Sequence, residues 1–366
     1  MANKIDTKYM RLALGLAAKA KDKTYPNPMV GAVIVKGGKV IGKGYHRRAG
    51  EDHAEVAAMK DAGDCSGGVM YVTLEPCDHF GRTPPCTQAL INSGIKAVYV
   101  AMKDPNPLNS GRGIRKLRRS GIRVNVGLCA EEAFSLNRKY VKFVTTDLPY
   151  VTLKLAQSVD GKIAAGDGTS KWITSGSSRG YARKLRSGFD AVMVGANTVL
   201  KDDPLLLGEG RSVKKLTRIV VDTRLRIPVD SKLVKTAVRS PVIIATTELA
   251  PKSKAKKLSK AGGIEIMMTR SRRGRVALKP FFKKLVQKGI VNVMVEGGGE
   301  LAGSLVDENM VDEVMFFIAP KILGGAFSSV KGRGVKNIAS AIELNGVEVK
   351  RIGTDILVRG VACSRG

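Results

Sequence analysis

Short, wholly apolar runs recur along the chain, separated by stretches whose apolar positions fall three or four apart. "VGAVIV" (30–35) predicts a buried strand, and the Gly37–Gly38 pair after it a tight turn. "HAEVAAMKDAG" predicts a helix stopped by Gly63, and "VMYVTLEP" the next strand. "CTQALINSG" predicts a helix with Gly94 past its end, and "AVYVAM" a further strand. From Thr7 to Lys21, Met10, Leu14 and Ala17 share one side of a helix. Basic residues ahead of "LALGLAA" imitate a signal peptide, but the apolar core is minimal and Asp6 interrupts the basic part, so an amphipathic helix is expected. The polar stretch "TTDLPY" (145–150) then breaks the alternation, and a new strand, "YVTLKLAQS", follows it. "AVMVGA", "RIVVD", "PVIIAT", "VNVMVEG" and "EVMFFIAP" continue the series. This order predicts an α/β protein of two domains, residues 1–146 and 147–366, without internal repeats.

Composition supports that division. A chain of 366 residues, 43% apolar, can fill two cores. Five cysteines, an odd number, do not form a secreted disulfide framework and fit a reducing cytoplasm. No run reaches the ~18 apolar residues of a membrane helix. The net charge of +30 gathers in "KSKAKKLSK" (252–260), "RSRRGR" (270–275) and residues 279–288. The first two tracts interleave no aromatics for stacking on bases, so these read as solvated faces, with no nucleic-acid partner expected. A basic protein does draw anionic substrates toward its clefts.

The chemistry begins at "LEPCDHFGRTPPC" (74–86), which holds two of the five cysteines and one of three histidines. A redox pair would stand closer together, and the flanking prolines do not form a core pattern. Upstream, "HAE" places His53 and Glu55 at the first turn of a helix, where both can border one cavity. His53, Cys77 and Cys86 supply one nitrogen and two sulfurs, a soft set suited to Zn²⁺. Three protein ligands leave a fourth position for water, as catalytic sites do. Glu55 is then the proton carrier that takes the water's proton and delivers it to a departing amine. His-x-Glu followed by Pro-Cys and Cys is the zinc nucleobase-deaminase pattern, here with eight residues between the cysteines where two are usual. His46 reads as a surface or supporting residue, and Cys65, Cys129 and Cys363 lack metal spacing.

"YPNPMVGAVIV", "HAEVAA", "YVTLEPCDHFGRTPPC" and "DPNPLNSGRG" together resemble the bacterial bifunctional riboflavin-biosynthesis deaminase–reductases, and the similarity runs in order through the whole chain. The resemblance implies a cytidine-deaminase-like zinc domain followed by a dihydrofolate-reductase-like domain that uses NADPH. The long cysteine insertion would then bind a phosphoribosylaminopyrimidine, through His79, Arg82 and Thr83, with Asp104 and Asn106 beyond the helix and Asn27 near the pyrimidine. The family more often has Ser where this chain has Asp78.

The second half has no histidine, so its chemistry must differ. "VNVMVEGGGELAGSL" reads as strand, glycine turn and helix, where backbone N–H groups can approach a phosphate. "LKLAQSVDGKIA", "SKWITS" and "VGANTVLKDDPLL" are similar to the family's reductase half. That similarity implies that Ala156, Trp172, Thr198, Asp202 and Thr223 line the dinucleotide. The segment Gly298, Gly299, Glu300, Leu301, Ala302, Gly303 and Ser304 would hold its pyrophosphate. Ser170, Arg186, Leu206 and Glu296 would meet the substrate. Lys154 could polarise the sugar or serve as a structural cation. Where the family has a phosphate-binding Arg after "DDP", this chain has Glu209, with Arg211 two positions on.

The expected function is therefore zinc-dependent deamination of 2,5-diamino-6-(5-phosphoribosylamino)pyrimidin-4(3H)-one, then NADPH reduction of its ribosyl group, in a cytoplasmic homo-oligomer. The competing reading is a deaminase of RNA or nucleosides with a basic RNA-binding C-terminal domain.

Overall fold

The computed structural model describes residues 4–20, 23–80, 84–209 and 215–363, and the chain divides into two compact units, 1–147 and 148–366. In the first unit α1 (Lys4–Ala18) precedes the hairpin β1 (Gly31–Lys36) and β2 (Lys39–Tyr45). Next come α2 (Ala54–Ala62), β3 (Val69–Leu74), α3 (Cys86–Asn92), β4 (Ala97–Met102), α4 (Arg112–Arg119), β5 (Arg123–Val126), α5 (Ala130–Leu136) and α6 (Arg138–Thr146). The sheet order is β2-β1-β3-β4-β5, with β3, β4 and β5 parallel.

The period-2 alternation of strand side chains explains its three layers. Val33, Val35 and Tyr71 share a cluster with Tyr9, Met10 and Leu16 of α1. Ile34, Val72 and Val98 share another with Ala54 and Ala58 of α2 and Leu117 of α4. Two glycines bring α2 against β2: a Cβ at Gly42 would lie 2.3 Å from the Ala58 carbonyl oxygen, and one at Gly44 2.4 Å from that of Ala54. This close approach sets the position of the α2 N-terminus, and so of His53 and Glu55.

The second unit runs β6 (Tyr150–Ser158), α7 (Gly176–Arg186), β7 (Ala191–Gly195), α8 (Ala196–Asp202), β8 (Thr217–Val221), α9 (Lys232–Lys235), β9 (Val242–Thr246), α10 (Lys252–Ser259) and β10 (Ile264–Met268). A small hairpin, β11 (Ser271–Arg272) and β12 (Arg275–Val276), leads to α11 (Leu278–Gln287), β13 (Asn292–Glu296), α12 (Gly299–Asp307) and β14 (Glu313–Ala319). The unit closes with β15 (Leu344–Ile352) and β16 (Asp355–Ala362). Nine strands order as β10-β9-β8-β7-β13-β6-β14-β16-β15. β13 enters between β7 and β6, so the chain reverses its direction of travel across the sheet there. In open α/β sheets ligands bind at the strand carboxyl ends beside such a reversal. Val293, Val295 and Ile219 share one cluster with Phe281, Phe282 and Leu305, whereas Val192, Val194 and Val220 share another with Val199, Leu233 and Leu258.

Some expectations shift. α6 continues through Thr145 and Thr146, so the polar "TT" ends a helix, and α1 starts a turn before Thr7. The basic tracts lie on α10, β11–β12 and α11. β15 shows no alternation because it is exposed from Asn345 to Arg351.

Candidate active sites

His53 is the N-cap of α2 and Cys86 the first residue of α3. His53 Nδ1 lies 3.1 Å from Cys86 Sγ and 3.5 Å from Cys77 Sγ, and all three atoms fall within 4.8 Å of one another. Among the described residues no fourth His, Cys or carboxylate joins this group; His79, two positions past Cys77, stands outside it. Bonding from the Cys86 thiol, and secondarily from His53, holds the Cys77 thiol down to about 4, while its partner's thiol is pushed up by that same sharing and by burial. One thiolate and one buried thiol turned toward an imidazole nitrogen suit a soft divalent cation that would ionise both sulfurs. Glu55, 4% exposed, borders the group. Burial, and then the charge of Cys77, push its carboxyl up to about 7, against the pull of His53.

These groups open on a cleft of about 360 Å³ whose lining includes Asn27, His46, Glu55, Cys77, His79, Asp104 and Asn106. Arg82 and Thr83 lie outside the described residues. His46, assigned from sequence to the surface or a supporting role, is 3% exposed and sits edge-on to His53 at 5.4 Å. Its Nδ1 is 3.0 Å from the Asp52 carbonyl oxygen and its Nε2 3.2 Å from Asn27 Nδ2. That pairing makes Nδ1 the donor and Nε2 the acceptor, and burial holds the ring's pKa down, toward the neutral form. Asp104 accepts from Asn106 N, Tyr140 Oη and Asn109 Nδ2 at 2.9, 2.9 and 3.2 Å, and burial raises its pKa. Sequence reasoning missed Tyr140, which carries no motif of its own, and Asn109, which lies within "DPNPLNSGRG" but was given no role there.

In the second unit the implied residues gather at the carboxyl ends of neighbouring parallel strands. Ala156 is on β6, Thr198 on α8 after β7, Thr223 after β8, and the glycine turn follows β13. Gly297 and Gly298 have φ of 73° and 76°, left-handed values that glycine adopts without a Cβ penalty. Thr198 Oγ1 is the nearest neighbour of both, at 3.8 and 3.7 Å from where a Cβ would stand. Gly299 and Gly303 have another cause. A Cβ on them would fall 2.3 Å from the Ser328 carbonyl oxygen and 1.2 Å from that of Lys331, so there the chain's own backbone takes the room assigned from sequence to a phosphate. Leu301 and Ala302 point into the core, Glu300 is exposed, and Ser304 Oγ meets Arg275 at 3.3 Å.

Glu296 is buried between two cations. Arg186 Nε and Nη2 reach its oxygens at 2.5 and 3.0 Å, and Lys154 Nζ stands 3.6 Å away. Burial alone would raise its pKa, but Lys154 and then Arg186 overcome that and bring it down to about 2. Arg186 and Glu296, each implied to touch substrate, thus hold each other, and a third guanidinium N–H goes to the Leu207 carbonyl. Ser170 Oγ donates to Asp202 at 3.0 Å. Leu206 packs its side chain into the core at φ 52° and offers a ligand only backbone. Trp172 is 63% exposed under the Arg179 guanidinium, 4.2 Å from the ring centre. Glu209 pairs with Arg183 at 3.3 Å; Arg211 lies outside the described residues.

Comparison with known proteins assigns each half. Residues 3–102 match the model of the cytidine and deoxycytidylate deaminase zinc-binding region, and residues 149–358 that of the RibD C-terminal domain. One chain therefore joins a zinc-type deaminase to a reductase of dihydrofolate-reductase-like fold. It is 46% identical over 360 residues to the riboflavin biosynthesis protein RibD of Aquifex aeolicus, covering 98% of this chain and 99% of that one. Solved structures of Acinetobacter baumannii RibD and of the Thermotoga maritima deaminase/reductase superpose with TM-scores of 0.82 and 0.78. Each is 33% identical over 98% of this chain and 99% of its own. The chain belongs to the RibD family of bifunctional riboflavin-biosynthesis enzymes. A reductase domain in the basic half does not favour the RNA- or nucleoside-deaminase alternative.

Proposed function

We propose that residues 1–146 remove the 2-amino group of 2,5-diamino-6-(5-phosphoribosylamino)pyrimidin-4(3H)-one. Residues 147–366 then reduce the product to 5-amino-6-(5-phosphoribitylamino)uracil. The observation that carries this reading is the buried Glu55 carboxyl beside one imidazole nitrogen and two sulfurs within 4.8 Å, at the wall of a cleft sized for one heterocycle.

His53, Cys77 and Cys86 would hold one zinc, and what zinc supplies when bound is a water whose proton is lost near pH ~7. Glu55 takes that proton and returns it to the amine as the C–N bond breaks; its buried carboxyl suits an exchange in both directions. Asn27, oriented by neutral His46, faces the pyrimidine. His79, Arg82, Thr83, Asp104 and Asn106 bind the ribose phosphate and its ring.

In the second step NADPH, when bound, supplies a hydride. Ala156, Trp172, Thr198, Asp202 and Thr223 line its site. Of the glycine segment, Gly297 and Gly298 would meet the pyrophosphate, because only there is the approach open. Hydride adds at C1′ while the bond from C1′ to the ring oxygen breaks, and that oxygen needs a proton, which Lys154, 3.6 Å from Glu296, would give. Ser170, Arg186, Leu206 and Glu296 orient the sugar phosphate. Both ligands are anions, which the net charge of +30 favours. The five cysteines are unbridged, as a reducing cytoplasm keeps them. β15, an exposed edge strand, offers backbone to a second copy and supports a homo-oligomer.

The test follows masses after incubation with the diaminopyrimidine. Exchange of an amine for oxygen is expected without cofactor, and two added hydrogens with NADPH alone. Glu55→Gln should cut deamination by about 100-fold or more while sparing reduction of the deaminated intermediate. A variant that deaminates at full rate would refute the assignment of Glu55.

A further inference from the structure

The eight residues between Cys77 and Cys86 pose a mechanical problem. The sulfurs at the two ends of this segment must keep their separation if they are to hold one cation. We propose that Asp78 is a positioning residue that closes a brace across the base of this loop and fixes the separation of both sulfurs. The proposal rests on the metal-site reading above.

Three hydrogen bonds join the covalent neighbourhoods of the two cysteines. Thr87 Oγ1 donates to Asp78 Oδ1 at 2.7 Å, Thr87 N to the Cys77 carbonyl at 3.2 Å, and Cys86 N to Cys77 Sγ at 3.4 Å. The brace is anchored to α4 and the segment before it. Lys116 Nζ reaches the same Asp78 oxygen at 2.8 Å, and Asp78 N donates to Asn109 Oδ1 at 3.0 Å. Asn109, fully buried, also donates to the Pro76 carbonyl at 3.4 Å. Buried Glu75 gathers the N–H groups of Asp104, Gly111 and Ile114 at 3.0, 2.9 and 3.2 Å. Lys116 also matters electrostatically, because it balances a carboxylate next to a thiolate ligand. Outer partners that orient metal ligands commonly carry a factor of about 10–100 in metal affinity.

The experiment uses the full-length, zinc-loaded protein. Zinc per chain is measured by mass spectrometry, and release is timed into excess 4-(2-pyridylazo)resorcinol. Asp78→Ala should release zinc about 10–100-fold faster than the parent. Thr87→Val, which removes one hydroxyl, should move the same way. Asp78→Asn keeps an acceptor oxygen for Thr87 and should fall between. Thr87→Val carries the test if Asp78→Ala fails to fold. Release at the parental rate, even with a lowered melting temperature, would make Asp78 merely structural and overturn the brace. A parent that takes up no zinc would instead overturn the metal-site reading, and the brace with it.

Discussion

Replacing Glu296 by Gln should destabilise the reductase unit in a manner that depends on pH. The carboxylate is about 10% exposed between Arg186 and Lys154, and its pKa falls from 4.5 to about 2 on folding. At about 1.4 kcal/mol per unit, this depression stabilises the folded state by about 3 kcal/mol. The sign follows from the direction of the shift. A lowered folded pKa gives stability that is complete above the unfolded pKa of 4.5 and is lost as pH falls toward 2. Linkage leaves only about 1 kcal/mol at pH 3. Urea unfolding of the parent and of Glu296→Gln at pH 7 and pH 3 tests this. The chain's single tryptophan, Trp172, lies in this unit and loses its Arg179 partner on unfolding, so its fluorescence follows this half alone, with circular dichroism as the second probe. The difference between the two proteins should be about 3 kcal/mol at pH 7 and less than half that at pH 3. A difference that stays constant or grows toward pH 3 would refute the reasoning.

Gly303→Ala sets a Cβ 1.2 Å from the Lys331 carbonyl oxygen and should cost about 3 kcal/mol, read as an earlier urea midpoint in Trp172 fluorescence. Gly180→Ala, inside α7 with nothing nearer than 3.7 Å, should instead stabilise by about 0.5–1 kcal/mol; a loss there would mean the helix surface is misjudged. Cys86→Ala should purify without zinc, and metal content equal to the parent's would count against its role as ligand. NADPH should quench Trp172 by covering its exposed face, and an unchanged spectrum at saturating turnover would remove Trp172 from the cofactor site.

The strands and helices nearest the zinc site were readable because their apolar runs and terminal glycines are local signals. The candidate metal ligands stood out because their side-chain types and order admit few other uses. Other features depend on partners distant in sequence. Arg218, which opens the run "RIVVD", is fully buried because the carbonyls of Leu205, Leu233 and Ser240 converge on it. No periodicity could announce that.

By itself, then, the amino-acid order determined the alternating α/β plan and the one-nitrogen, two-sulfur set beside a carboxylate, since hydrophobic period and ligand chemistry reside in neighbouring residues. Only the tertiary structure decided that Gly299 and Gly303 admit a backbone segment, that Arg186 and Glu296 bind each other, and that His46 is buried against Asn27. These are outcomes of packing and charge pairing between segments up to 110 positions apart, where desolvation makes each buried polar group take whichever partner the fold brings within reach.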